Sequence, residues 1–231
     1  MKIVIDSNSQ DYKLNVDFSK LLNDWCKPLS IFLESDAMMR LMYFVNNIYN
    51  GLNDCFPLKK DLFKPFQLCK YSDLQVVILN ANSSLTEKNN GLAFGNKDSF
   101  NNFNFDESLI SLFNDIETKD YDGLMINKDY TLESWAKKGI LLLNYAPTSY
   151  RKANHSFMWY NFTSFLLKTI SNDKQGIIFV FIGDQINARY SDKINKRKHT
   201  LLTYNTFDYT VLEDINSHIE EINGKDYRIK W

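Results

Sequence analysis

Amides, hydroxyls and carboxylates crowd four short stretches of the 231-residue chain, and these are where chemistry could be done. They read Asn80-Ala81-Asn82-Ser83-Ser84-Leu85, Asn144-Tyr145-Ala146-Pro147-Thr148, Gly183-Asp184-Gln185 and Asn205-Thr206-Phe207-Asp208-Tyr209-Thr210. Amides read hydrogen-bonding edges and position water, but they do not take up protons at neutral pH. A basic cluster, Lys193, Lys196, Arg197 and Lys198 with Arg189 ahead of it, has the charge either to contact phosphate or to form a solvated turn. Metal and thiol chemistry find no comparable grouping. His155, His199 and His218 are scattered, as are Cys26, Cys55 and Cys69, and no C-x-x-C pair occurs. No metal site and no cofactor are therefore expected, and the cysteines read as small buried hydrophobes in a reducing compartment. With only 8 glycines the chain contains neither G-x-G-x-x-G nor G-x-x-x-x-G-K-[ST], which excludes nucleotide-binding enzymes of those two kinds.

The polar stretches follow apolar runs that must position them. Val76-Val77-Ile78-Leu79, Leu141-Leu142-Leu143, Ile177 to Ile182 and Leu201-Leu202-Thr203-Tyr204 have the length and residue types of buried strands. Helical spacing of apolar residues marks the segments between them: Glu107 to Ile116, Trp159 to Ile170 and Val211 to Ile222. Ahead of the first strand, Phe18 to about Asn50 reads as two amphipathic helices, with Asp36 as the cap of the second. Strands alternating with helices predict an α/β fold, a central mostly parallel four-stranded sheet flanked by helices, in one domain spanning residues 1–231. Such a sheet holds ligands outside the carboxyl ends of its strands, which is where all four polar stretches begin. Apolar residues at 44%, aromatics at 15% and a net charge of −1 exclude a disordered chain and a globally basic nucleic-acid binder. No apolar run approaches the ~20 residues of a membrane span, so a cytoplasmic protein without membrane contact is expected.

In this order and spacing the segments resemble the uracil-DNA glycosylases. Trp135-Ala136-Lys137-Lys138-Gly139-Ile140-Leu141-Leu142-Leu143-Asn144 is similar to that family's W-A-x-x-G-V-L-L-L-N, and Gly91-Leu92-Ala93-Phe94 to its G-L-A-F. Phe56 to Phe63 looks like its proline-containing segment, and Ile222 to Trp231 like its N-G-x-x-x-I-x-W ending. The resemblance runs from about Trp25 to the terminus and implies the uracil-DNA glycosylase fold. It also implies pocket roles for Phe94, which would stack on a flipped base, and Asn144, whose amide would read uracil's Watson-Crick edge. Each also has a plain reading, as a core aromatic and as an amide that satisfies loop backbone.

At the catalytic motifs the chain departs from the family. Where members carry G-Q-D-P-Y-H, this sequence has Asn80 to Leu85, so Asn82 replaces the aspartate and Ser84 the tyrosine that closes the pocket. Where members carry H-P-S-P-L-S, it has Asn205 to Thr210, so Asn205 replaces the histidine, Phe207 a serine and Tyr209 the wedging leucine. The expectation is a catalytically inactive homologue retained for binding. Its partner would be uracil-containing or single-stranded DNA, or a protein such as a glycosylase inhibitor or a polymerase. The base pocket would comprise Phe94, Asn144, Ser84 and Leu85, with DNA contacts from Lys196, Arg197, Lys198 and Tyr209. The alternative is a weak or altered-specificity glycosylase in which Asn82 positions water and Asn205 supports the departing base. Leu85, Tyr145 or Phe207 could also fill the space a base would need.

Overall fold

Apolar runs without polar alternation need a covering layer on each face, and here they form one parallel sheet between two layers of helices. The computed structural model describes residues 16–52, 54–81, 86–97, 107–121, 123, 125–150 and 153–231. In chain order its elements are α1 (Phe18–Leu22), α2 (Cys26–Leu33), α3 (Asp36–Gly51), β1 (Cys55–Phe56), α4 (Lys64–Leu68), β2 (Val76–Asn80), α5 (Glu107–Asp120), α6 (Glu133–Ala136), β3 (Ile140–Asn144), β4 (Ser149–Tyr150), β5 (Ala153–Asn154), α7 (Ser156–Asp173), β6 (Ile178–Ile182), α8 (Asp184–Tyr190), β7 (Thr200–Tyr204) and α9 (Tyr209–Asn223). The main sheet has the order β3-β2-β6-β7, with every neighbouring pair parallel. Its register aligns the carboxyl ends, so Asn144, Asn80, Ile182 and Tyr204 lie side by side. The short β1, β4 and β5 pair antiparallel beside it, a feature two-residue strands do not announce in sequence.

Side-chain alternation divides the core in two. Val77, Leu79, Leu141, Leu143, Phe179 and Phe181 face one layer, packed against Leu29, Leu41, Phe66, Phe162 and Ile186. Val76, Ile78, Ile140, Leu142, Ile178, Val180 and Ile182 face the other, packed against Leu112, Trp135, Leu212 and Ile215. Helices α1 to α4, α7 and α8 thus cover the first face, and α5, α6 and α9 the second.

The amino-terminal region departs from its sequence reading. Three helices fill Phe18 to Gly51 rather than two, because Asn23 takes a positive φ of 54° and a 3-10 turn at Asn23–Trp25 interrupts the pattern. The cap of α3 is Ser35, whose hydroxyl accepts from Met38 N at 3.2 Å, and Asp36 is the first helical residue. An oxygen one residue earlier reaches the unpaired helical N–H with the extended backbone a cap needs.

The chain end is fastened to α9 by Asn216. Its amide, fully buried, donates to Ile229 O at 3.1 Å and accepts from Ile229 N at 2.8 Å, which brings Trp231 edge-on to Trp135 at 5.0 Å. Asn216→Ala strands both backbone groups, and urea unfolding is expected to show a loss of about 2 kcal/mol. Wild-type stability in this variant would mean that water replaces the amide.

Candidate functional site

The carboxyl edge of the sheet is stitched by backbone bonds between successive strand exits. Tyr145 N donates to Asn80 O at 3.0 Å, Ala81 N to Ile182 O at 3.0 Å and Gly183 N to Tyr204 O at 2.7 Å. Gly183 has φ 104°, and a Cβ there would stand 2.7 Å from that of Ala81, so the β6 exit requires glycine. Asn80 and Asn144 are register partners with buried side chains, and Asn80 Nδ2 donates to Asn144 Oδ1 at 3.1 Å. The resemblance expects glycine at position 80. A side chain that glycine lacks therefore engages the amide oxygen expected to read a base.

Phe94 sits on a loop held from below by two buried asparagines. Asn89 Oδ1 accepts from Gly91 N at 2.9 Å and Asn90 Oδ1 from Leu92 N at 3.0 Å, local turns that asparagine closes well. Asn90 Nδ2 donates to Asn96 O at 3.1 Å and Thr131 O at 2.9 Å, and Ala93 N reaches Leu142 O on the open edge of β3 at 3.1 Å. Phe94 itself has φ 64°, a left-handed conformation uncommon for a bulky residue. One face of its ring is covered by Phe207: the centroids lie 4.3 Å apart and the planes 16° from parallel. Phe207 is buried, with its edge toward Trp135 at 6.4 Å. Of the three side chains that could fill the space, Phe207 takes this position. Tyr145 belongs to the core on the opposite sheet face, its hydroxyl accepting from Asn154 Nδ2 at 3.0 Å, and Leu85 lies outside the described residues.

The other expected site residues are distributed as follows. Asn82 and Ser84 also lie outside the described residues. Asn205 is exposed just beyond β7. Asp208 caps α9, accepting from Thr210 N at 3.0 Å and from the Thr206 hydroxyl at 3.2 Å. Tyr209 points its hydroxyl at carboxylates, 2.6 Å from Asp120 and 3.0 Å from Glu213, beneath the Lys119 ammonium 4.4 Å from its ring centroid. Burial, then these two carboxylate bonds, push its phenol pKa upward. Arg228 pairs with Glu213 and also with Glu220 at 2.9 Å, so Tyr209 is part of an ion network under α9. Lys196, Arg197 and Lys198 precede β7 and lie at the amino edge of the sheet, a full strand away from Phe94 and Asn144; Lys198 Nζ donates to Asn172 O at 3.2 Å. The structure does not bring these three cations to Phe94 and Asn144.

The histidines are occupied structurally. His155 Nδ1 lies 3.0 Å from the Thr148 hydroxyl, which also accepts from Trp159 Nε1 at 2.7 Å, and burial lowers the His155 pKa. His199 bridges Ile177 N at 3.2 Å and Ser171 O at 3.0 Å. The sequence assigns no individual role to Asn80, Asn89 or Asn90, although Asn80 opens the first polar stretch. The Asn-Asn-Gly run at 89–91 signals a turn, whereas the role of Asn80 follows only from the strand register.

No family model matches the chain. It is 33% identical over 152 residues to the uracil-DNA glycosylase of Aliarcobacter butzleri, covering 64% of this chain and 68% of that protein. It is 31% identical over 202 residues to that of Mycoplasmopsis pulmonis, covering 81% and 87%. Among solved structures it is similar to mimivirus uracil-DNA glycosylase, with a TM-score of 0.72 at 18% identity over 98% of this chain and 96% of that one. A variant of the mimivirus enzyme in complex with UGI gives 0.73 at 18% identity over 98% of each chain.

Asn90 makes three bonds that hold the Phe94 loop. Asn90→Ala is expected to cost about 3 kcal/mol in urea unfolding. Hydrogen exchange should accelerate at the Leu92 and Ala93 amides while those of β6 stay protected, and an unchanged loop would show that Ala93's bond to β3 suffices alone.

Proposed function

The chain belongs to the uracil-DNA glycosylase family, and on that premise we propose that it is a member that excises no base and is retained for binding. The observation that carries this reading is Phe207 lying flat on Phe94, at the spacing a stacked base would occupy. Magnitudes favour the closed slot. Withdrawing Phe207 would lose about 1.5–3 kcal/mol of burial and about 0.5–1.5 kcal/mol of ring pairing. A base stacked in its place would return about 1–3 kcal/mol, so a base gains nothing by displacing it.

The replaced residues support the same conclusion. Breaking a glycosidic bond requires charge stabilisation at the sugar and at the departing base, and a positioned acid or base typically contributes about 10²–10⁴ in rate. Asn82 and Asn205 stand where the family has its aspartate and histidine, and neither amide carries charge or serves as a general acid or base at neutral pH. The partner supported by family membership is DNA, uracil-containing or single-stranded. A protein partner such as a glycosylase inhibitor or a polymerase is the other class the same surface admits.

Incubating the purified chain with matched uracil-containing, thymine-containing and abasic oligonucleotides tests the reading. No base release is expected, whereas Asn82→Asp combined with Asn205→His and Phe207→Ser should acquire measurable uracil release. Release by the wild-type chain that disappears in Asn82→Ala would overturn the proposal in favour of an altered-specificity glycosylase.

A further inference from the structure

Helices α3, α7 and α8 enclose an open cleft of about 800 Å³, whose lining includes Arg40, Phe157, Tyr160, Arg189, Asp192 and Lys193. Three of these side chains are cationic and one is acidic, and Asp192 is paired with Lys193. Lys193 is only 12% exposed, whereas Arg40 and Arg189 are open to solvent. The Arg189 guanidinium lies over the Tyr160 ring, 5.4 Å from its centroid. Phe157, at the start of α7, is 85% exposed. A phenylalanine left this far in water, beside two guanidinium groups that make no ion pair among the described residues, has no role in the core.

We propose that this cleft binds single-stranded nucleic acid, with Arg40 and Arg189 on phosphates and Phe157 stacking a base. Guanidinium groups match phosphate geometry, and an open aromatic ring offers a face to any base, which together form the usual platform for a single strand. An acidic protein segment would satisfy the cations but would leave the Phe157 ring without a planar partner. The cleft is independent of the base slot: the cleft helices pack on the sheet face carrying Val77 and Phe179, while Phe94 and Phe207 pack on the face carrying Val76 and Ile178. The inference therefore holds whether or not the base slot excises.

Fluorescence anisotropy of a labelled oligothymidylate with the full chain, across a salt series, tests it. Arg40→Ala combined with Arg189→Ala is expected to weaken binding about tenfold or more and to reduce the slope of log affinity on log salt by about 1.4, at ~0.7 per lost phosphate contact. Phe157→Ala should weaken binding about tenfold with the slope unchanged. All three cleft residues are exposed, and thermal unfolding confirms that the variants remain folded. No binding by the wild-type chain, or wild-type affinity in the arginine variant, would overturn the proposal. So would equal competition by polyglutamate with Phe157→Ala silent, which would assign the cleft to an acidic protein.

Discussion

A base-binding slot in a parallel sheet needs a bare aromatic face and an unengaged amide at the carboxyl edge, and both must stay open while the surrounding core stays closed. Among the described residues, the chain's own side chains engage both groups at this edge. Phe207 covers Phe94 at 4.3 Å, and Asn80 holds Asn144 at 3.1 Å. Both covering groups occupy positions where the resembling family has a smaller residue, serine and glycine. Asn144 is buried, and half-buried Phe94 packs against the second helical layer, with Phe207 bridging its loop to Trp135.

This closure depends on the register of the sheet. Parallel pairing aligns Asn144, Asn80, Ile182 and Tyr204 at one edge, and the backbone bonds that leave this edge fix the starts of the following loops. Glycine at position 183 lets the β6 exit pass Ala81, and Asp208 starts α9 where Phe207 turns inward. A cap carboxylate also places negative charge on the exposed side of that turn, which opposes approach of a phosphate backbone at this edge. The cleft on the other face carries the opposite sign, with Arg40 and Arg189 exposed at its walls. The two faces of one sheet thus present different electrostatic surfaces because side-chain alternation assigns them to different helical layers.

Much of this architecture was legible in the sequence. Three of the four central strands, β2, β3 and β6, are apolar runs because they are buried at every position, whereas the edge strand β7, read as buried, is only half-buried and partly exposed. Strand order and loop exits made the carboxyl edge the place to look, and Phe207 was among three residues able to fill it. Choosing among the three required knowing which face each occupies, since Tyr145 turns to the opposite core. The Asn80–Asn144 bond was hidden because it depends on register across two strands 64 residues apart. The placement of Lys196, Arg197 and Lys198 was recoverable: residues that precede a strand in a parallel sheet lie at its amino edge. Ser35 rather than Asp36 caps α3 because adjacent polar residues compete for that position, and backbone conformation decides between them.

The most direct measurement is a crystal structure of the chain soaked with uracil, read at the Phe94 ring. The stack predicts that Phe207 remains parallel to Phe94 near 4.3 Å with no base between or beside the rings. Uracil lying on Phe94, with Phe207 swung away and Asn144 turned from Asn80 to the base, would contradict it and restore the slot as a working pocket.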